Sequence, residues 1–367
     1  MPRIETLASP AEFTICIPSY NRGSRLLAHL RSISKELNEV WPILILDNAS
    51  TIQKDDYKAI EEMSHSTPGL NYIRQERNLL FEGNFLSMFE LVQTDFFMVI
   101  SDEDETNFDF IKNLCPQLPY LKEVGAIRPS IGHKTAVTRR QSAIFKDKLL
   151  APGAEAISTF GLTGNYISGA IYNRKLLTDL NFVLQLEKNM HEHRTYPHLY
   201  MNILAASSTK TMFMSDICCF ENAPEELASS EINYFGTYSF GSRIDQFIAH
   251  RNAILEAILN TNKDFDAAGF YNCYMRLCSK YLMLIVYVNS PMYEAHSIEH
   301  ATLARTFVLF CLASAQKMPL YREYSALIEQ HLTIEENRFS LKYQKNRERM
   351  ATRMRRDIKT LGVGKAS

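Results

Sequence analysis

The chain has 367 residues, 46% hydrophobic and 22% charged, with a formal net charge of −1. Those values exclude a disordered polymer and a broadly basic nucleic-acid coat, and no run approaches the ~18 apolar residues of a membrane span. Seven cysteines at scattered positions, without a CxxC pair, exclude a disulfide framework and point to free thiols in a reducing compartment. The amino terminus lacks the regions of a signal peptide, so a cytoplasmic location is expected.

Four short apolar runs, Phe13–Ile17, Ile43–Leu46, Leu70–Arg74 and Phe96–Ser101, have the length and β-branched or aromatic content of strands. Residues 24–37, 55–63 and 83–93 are predicted as intervening helices, the last with Phe85, Met88, Phe89 and Val92 on one face. Strands alternating with helices predict a parallel sheet covered on both faces, with every strand's carboxyl end at one edge. That edge collects Pro18-Ser19-Tyr20-Asn21-Arg22, Asp47-Asn48-Ala49-Ser50-Thr51, Arg77-Asn78 and Asp102-Glu103-Asp104-Glu105.

The acidic run is the most informative. Four consecutive carboxylates after a buried strand repel one another and call for a cation, and Asp-x-Asp spacing suits a hard divalent ion. By itself the run also reads as a helix cap, as Asp47-Asn48-Ser50 reads as a turn. There is no GxGxxG after the first strand and no GxxxxGK[ST], so a diphosphate held here would depend on a metal.

Val124–Pro129 is predicted as a strand, followed by a basic stretch from His133 to Lys148 that is either a closing loop or a solvated one. Gly161–Tyr172 reads as a strand bracketed by glycines, which permit close approach of a ligand or backbone. Glu187–Arg194 gathers titratable groups: Glu192, His191 and His193, with Asp179 and His198 nearby in sequence. His191, His193 and His198 also have a spacing that a zinc site could use, though with no cysteine near. A helix over 196–206 with Pro197 in its first turn follows, then Cys218-Cys219 in an apolar run that reads as buried packing.

From about Tyr238 the pattern turns helical, with helices expected over 244–259, 270–288, 298–317 and 321–332. Residues 342–367 carry nine Lys/Arg against two Asp/Glu, leaving −8 on the rest. In the last helix Met350, Met354, Ile358 and Leu361 form a stripe among Arg347, Arg349, Arg353, Arg355, Arg356 and Lys359. Such a helix either lies on anionic lipid or docks its stripe on protein. The basic residues are not interleaved with stacking aromatics, so no nucleic-acid binding is expected.

The segments TICIPSYNR, ILILDNAST, ERNLLFEGNF and FFMVISDEDE occur in the order and spacing of family 2 glycosyltransferases with the GT-A fold. The chain resembles most the bacterial O-antigen and capsule group that includes abequosyltransferase-like enzymes. The likeness spans residues 12–225 and is strongest in the first 105. It implies an α/β GT-A fold, a Rossmann-like, mostly parallel sheet flanked by helices, over 1–232, with a helical domain appended over 233–367. Residues 1–105 would bind the nucleotide sugar, and 106–232 would supply the acceptor and base region.

The resemblance implies an inverting transfer from a nucleotide-diphosphate sugar, with Mn²⁺ or Mg²⁺, to a saccharide hydroxyl, possibly on a polyprenyl-diphosphate carrier. Pro18, Tyr20, Asn21, Arg22, Asp47, Asn78, Asn84 and Asp102 would line the nucleotide pocket, and Asp102 and Asp104 would hold the metal. Ser168 and Gly169 would lie beside the donor sugar, and His191 and His193 near donor or acceptor. Glu192, 88 residues after Asp104, would be the base, with His191, His193 and Asp179 in reserve. Peripheral contact with the inner face of the membrane through the tail and a homo-oligomer complete the expectation.

Two places depart from the family pattern: Thr51-Ile52-Gln53 stands where an Asp-Gly pair is common, and Asn78-Leu79-Leu80 has Leu for Gly. Both bear on the backbone path near the base and phosphates. The rival readings are a sugar nucleotidyltransferase, which would carry a glycine-rich basic loop after the first strand, and a non-catalytic nucleotide-sugar-binding interaction protein.

Overall fold

The computed structural model describes residues 13–33, 42–133, 144, 146–164, 166–194, 196–222, 239–261, 265–289 and 299–360, with side chains described except at 261, 288, 289 and 349–360. The chain divides into two compact units, Met1–Glu231 with Ala253–Asp264, and Ile232–Asn252 with Phe265–Ser367. The expected boundary at 232/233 lies outside the described residues.

The first unit is a nine-stranded sheet. Strands β1 (Phe13–Ser19), β2 (Ile43–Asp47), β3 (Leu70–Arg74) and β4 (Phe96–Val99) are parallel in the order β3-β2-β1-β4. Ser19 is the register partner of Asp47, and Asp47 of Arg74, so the three strands finish side by side. Helices α1 (Gly23–Ser32), α2 (Lys54–Ser66) and α3 (Leu80–Leu91) return the chain between them. Ile15, Ile17, Ile43, Ile45 and Met98 pack beneath Leu26, Leu30, Tyr57 and Ile60 in one buried core. On the other face Phe85, Phe89, Phe97 and Tyr172 make an edge-to-face aromatic cluster.

Beyond β4 the sheet is mixed. β5 (Glu105–Thr106) runs antiparallel to β9 (Lys210–Glu221), β6 (Val124–His133) parallel to β9, β7 (Lys148–Leu150) antiparallel to β9, and β8 (Ala170–Asn173) antiparallel to both β4 and β6. Parallel ladders still hold most of the paired residues.

Three expectations need correcting. Phe96–Ser101 stops being strand at Val99: the Ile100 amide still bonds to the Cys16 carbonyl at 2.9 Å, but the chain then turns, the Asp104 amide closing on the Ser101 carbonyl at 3.0 Å. Gly161–Tyr172 is strand only from Ala170: residues 157–161 form a wide helical turn, and Gly164 (φ 71°) and Gly169 (φ 77°) take left-handed conformations that a continuous strand forbids. A Cβ on Gly169 would strike Cys218 Sγ at 2.5 Å. Val124–Pro129 is longer than expected, reaching His133 as it pairs along β9, with bulges near Pro129. Most of the basic stretch after it lies outside the described residues.

Helices α4 (Phe108–Leu114), α5 (Arg174–Asp179), α6 (Phe182–Asn189) and α7 (Pro197–Ser208) complete this unit's frame. Pro197 sits in the first turn of α7 as expected, where its missing N–H costs nothing. Cys218 and Cys219 are buried free thiols. Helix α8 (Phe240–Thr261) is shared by the two units.

The second unit is helical: α9 (Ala267–Leu284), α10 (His300–Ala315) and α11 (Tyr321–Thr360). Phe247 of α8 is its aromatic hub, with Tyr274, Tyr281 and Phe307 edge-on at 5.8, 5.8 and 5.5 Å. The helix expected over 321–332 and the basic tail helix are one continuous element. The stripe Met350 to Leu361 lies outside the described side chains.

Candidate functional site

Parallel strands bring the β1, β2 and β4 loops to one edge. Asp102 is 4% exposed: Ser19 Oγ donates to its Oδ2 at 2.8 Å, and Arg22 Nη1 to its Oδ1 at 3.1 Å and to Glu103 Oε2 at 3.0 Å. Burial raises the Asp102 and Glu103 carboxyls above their ordinary values, with Arg22 pulling both back.

Asp104 is fully buried, and its partners are neutral. The Tyr166 hydroxyl lies 2.6 Å from both oxygens, Ser168 Oγ donates to Oδ2, and the Asn222 amide donates to Oδ1 at 3.2 Å. Its carboxyl is raised by burial, and these hydrogen bonds together with the charge of Arg25 offset that only in part. Asn222 also ties down the turn through the Glu103 carbonyl at 2.9 Å, and Ser168 Oγ accepts from the Ser101 amide at 2.8 Å.

Asp47, also fully buried, is held differently. Arg74 Nη1 reaches its Oδ2 at 2.5 Å, the Tyr72 hydroxyl donates to the same oxygen at 2.8 Å, and the Ser50 amide donates to Oδ1 at 2.8 Å. Burial first, then Asp47, raises the Tyr72 phenol, which keeps it a donor.

The asparagines join loop to loop. Asn21, with φ 58°, accepts from the Thr51 amide at 2.7 Å and the Ile52 amide at 3.2 Å. Asn48 donates to Asn78 Oδ1 at 2.9 Å and accepts from the Leu79 amide at 2.8 Å. Asn84 donates to the Leu46 carbonyl at 3.3 Å. Pro18 and Tyr20 are partly exposed at the end of β1. At the two departures from the family pattern, Gln53 (φ 53°) and Leu80 (φ 59°) hold left-handed backbone that glycine would take without strain.

The turn after α6 forms a second group. Glu192 is half exposed and 3.6 Å from His191, whereas His193 is 4% exposed and stacks on Tyr200 at 4.0 Å. Burial, with His191 adding, pushes His193 down to about 3, so its imidazole is neutral at physiological pH. Arg194 approaches Glu82 of α3 at 4.0 Å, and burial raises the Glu82 carboxyl. His198 lies edge-on to Phe81, so this turn packs on the first turn of α3, next to Asn78. Asp179 pairs instead with Lys175 in an exposed i,i+4 contact. Among the described residues no group of three or more His, Cys, Asp or Glu side chains is arranged to hold a metal.

Residues 14–180 match the family described as glycosyl transferase family 2. The fold agrees: S. aureus TarS residues 1–349 in complex with UDP-GlcNAc superpose with a TM-score of 0.55, at 14% identity, covering 90% of this chain and 91% of that one. TarS 1–349 in a second crystal structure gives 0.50 at 14% identity over 90% and 91%. No curated protein matches the chain. The architecture of the sheet unit that carries this match is therefore GT-A.

Sequence reasoning did not single out Ser19, Tyr72, Arg74, Glu82, Tyr166 or Asn222. Arg74 had a signal, a cation ending the strand beside the one that ends in Asp47. Asn222 had none, being 118 residues from the carboxylate it contacts. Arg128 of β6 was also missed. It is 3% exposed, donates from Nη2 to the Tyr166 carbonyl, and burial lowers its guanidinium.

Proposed function

We propose that the protein is an inverting glycosyltransferase that moves a sugar from a nucleotide-diphosphate sugar to a hydroxyl of a bacterial surface saccharide. The observation that carries this reading is Asp104, a fully buried carboxylate on the ligand edge of a GT-A sheet, hydrogen-bonded by two hydroxyls and a backbone amide and still raised by burial. A buried charge of this kind is costly unless a cation completes it.

The donor set fits a hard divalent cation, Mn²⁺ or Mg²⁺, shared with substrate: two carboxylates from the protein and the remaining ligands from phosphates and water. When bound, that cation would neutralise charge on the departing nucleotide diphosphate. Asp102 and Asp104 would hold it. Ser19 and Arg22 fix the Asp102 carboxylate, and Tyr166, Ser168 and Asn222 fix Asp104.

Asp47, braced by Arg74, would receive the nucleoside, with Pro18, Tyr20 and Arg22 as walls and Asn21, Asn78 and Asn84 holding the loops in shape. Ser168 and Gly169 would border the donor sugar. Glu192 would take the acceptor hydroxyl proton at a carboxylate oxygen, and His191, with the neutral imidazole of His193, would orient the acceptor through hydrogen bonds. An acceptor on a polyprenyl diphosphate would suit the basic end of α11, resting on the inner face of the cytoplasmic membrane. No helix among the described residues is long and apolar enough to cross a membrane.

Thermal stability against a panel of nucleoside diphosphates and sugar nucleotides, with and without Mn²⁺, tests the reading. Stabilisation by one base, dependent on metal, is expected; no shift with any of them would move weight to an interaction protein. Glu192→Gln should then abolish transfer while leaving that shift intact, and normal transfer by this variant would remove Glu192 as the base.

A further inference from the structure

The longest helix, α11, buries one face and leaves another apolar stripe open. Ile328, Leu332, Phe339 and Tyr343 are buried against the helical unit, whereas Leu327 (48%), Ile334 (55%) and Leu341 (57%) are exposed. These three recur every seven residues, the period that keeps a stripe on one side of a supercoiled helix. At 3.6 residues per turn the stripe lies roughly opposite the buried face.

Three residues after each aliphatic stands an exposed amide side chain: Gln330, Asn337 and Gln344. The six positions form a heptad seam about 25 Å long. Its flanks are unequal: Ala326, Thr333 and Ser340 are small, whereas His331, Arg338 and Lys345 are basic or titratable. His331 is turned to Ser279 Oγ at 2.8 Å, and Arg338 pairs with Glu335 at 2.8 Å.

We propose that a second copy of this chain docks on this seam, α11 against α11 in parallel. A two-fold contact makes the surface its own partner. In the parallel arrangement aliphatics meet aliphatics, amides meet amides, and each basic flank faces the small flank of the other copy. The antiparallel arrangement sets Arg338 against its own copy, a like-charge clash. Exposed aliphatics at heptad spacing with self-pairing amides favour another identical helix over lipid, which has no partner for the amides. With three aliphatic layers the dimer is expected to be reversible and concentration-dependent.

Sedimentation equilibrium of the full chain should show monomer giving way to dimer as concentration rises. The triple variant Leu327→Ser/Ile334→Ser/Leu341→Ser should stay monomeric, with helicity and dilute-solution Tm unchanged. Native chain that is monomeric up to its solubility limit, or a dimer that survives the triple substitution, overturns the proposal. Asn337→Cys gives a readout that does not depend on the triple variant folding. The seven native cysteines are free and six are buried, so mild oxidation should link Asn337→Cys to its own copy. A dimer that fails to cross-link there overturns the parallel arrangement.

Discussion

Asp47 and Asp104 are both fully buried carboxylates on the same sheet edge, yet one is held by a direct ion pair and the other by neutral hydrogen-bond donors. Asp47 has Arg74 across the adjacent strand, while Asp104 has two hydroxyls and a backbone amide. A satisfied ion pair is architecture: it fixes where the β2 loop goes. A carboxylate hydrogen-bonded by neutral donors, with Arg25 offsetting its burial only in part, keeps an unfavourable desolvation energy that an incoming cation would relieve. Stability and function are thus divided between two aspartates that composition alone makes equivalent.

The largest expected effect falls on Asp104. Asp104→Asn should lower turnover on the order of 10³-fold, because several kcal/mol of transition-state charge stabilisation would be lost. The same substitution should raise the metal-free Tm, since it removes a buried charge, and a lowered Tm would show that Asp104 is structural in the way Asp47 is.

Arg74→Ala should do the reverse, leaving Asp47 buried and alone. Breaking a buried pair costs about 3–5 kcal/mol, and because Arg74 is 43% exposed the loss should be nearer about 2 kcal/mol in urea titrations. Adding Asp47→Asn should recover much of it; strictly additive losses would deny the pairing.

The pH dependence separates the edge from the α6–α7 turn. His193 is held down to about 3 in the folded state against about 6.5 unfolded, so the unfolded chain takes the proton first and stability falls as pH drops below about 6.5. By pH 5 the loss amounts to about 2 kcal/mol. Asp102, Glu103 and Asp104 have the opposite sign: their folded carboxyls are raised, so protonation favours the folded state as pH falls through the acidic range. His193→Phe, which keeps the stack on Tyr200, should flatten the decline between pH 6.5 and 5. An unchanged slope would mean that His193 is not its source.

The smallest effect concerns backbone. Leu80 is 53% exposed with φ 59°, so Leu80→Gly relieves left-handed strain and adds unfolded-state entropy, for a net gain of about 0.5 kcal/mol. A clear loss in a thermal melt would mean that the Leu80 side chain contributes more than its exposure suggests.

Much of the parallel half was legible because its signals are local. Ile43–Leu46 alternating with the 55–63 helix gives a strand, a helix and their order, and order in a parallel sheet sends the Asp47 and Asp102–Glu105 loops to one edge. Residues 161–169 were misread as strand because two glycines in an apolar run suit either a bracketed strand or a left-handed loop. The choice falls to Cys218 and to the demand of Asp104 for the hydroxyls of Tyr166 and Ser168. Helix α11 was underestimated in length, since its exposed heptad stripe adds little to a helical pattern judged by buried positions.

By itself the sequence determined the alternating α/β order, the acidic turn at the end of a buried strand, the helical carboxyl-terminal third and the residue types gathered on the ligand edge. These follow from periodicity and from chain connectivity, which act over tens of residues. Only the tertiary structure decided that Arg74 neutralises Asp47, that Tyr166, Ser168 and Asn222 hold Asp104 without neutralising it, and that His193 is buried while Glu192 is half exposed. The physical reason is that hydrogen bonds and burial between groups far apart in the chain depend on how β8 pairs back onto β4 and β9 onto β5 and β6, and spacing in sequence does not encode that pairing.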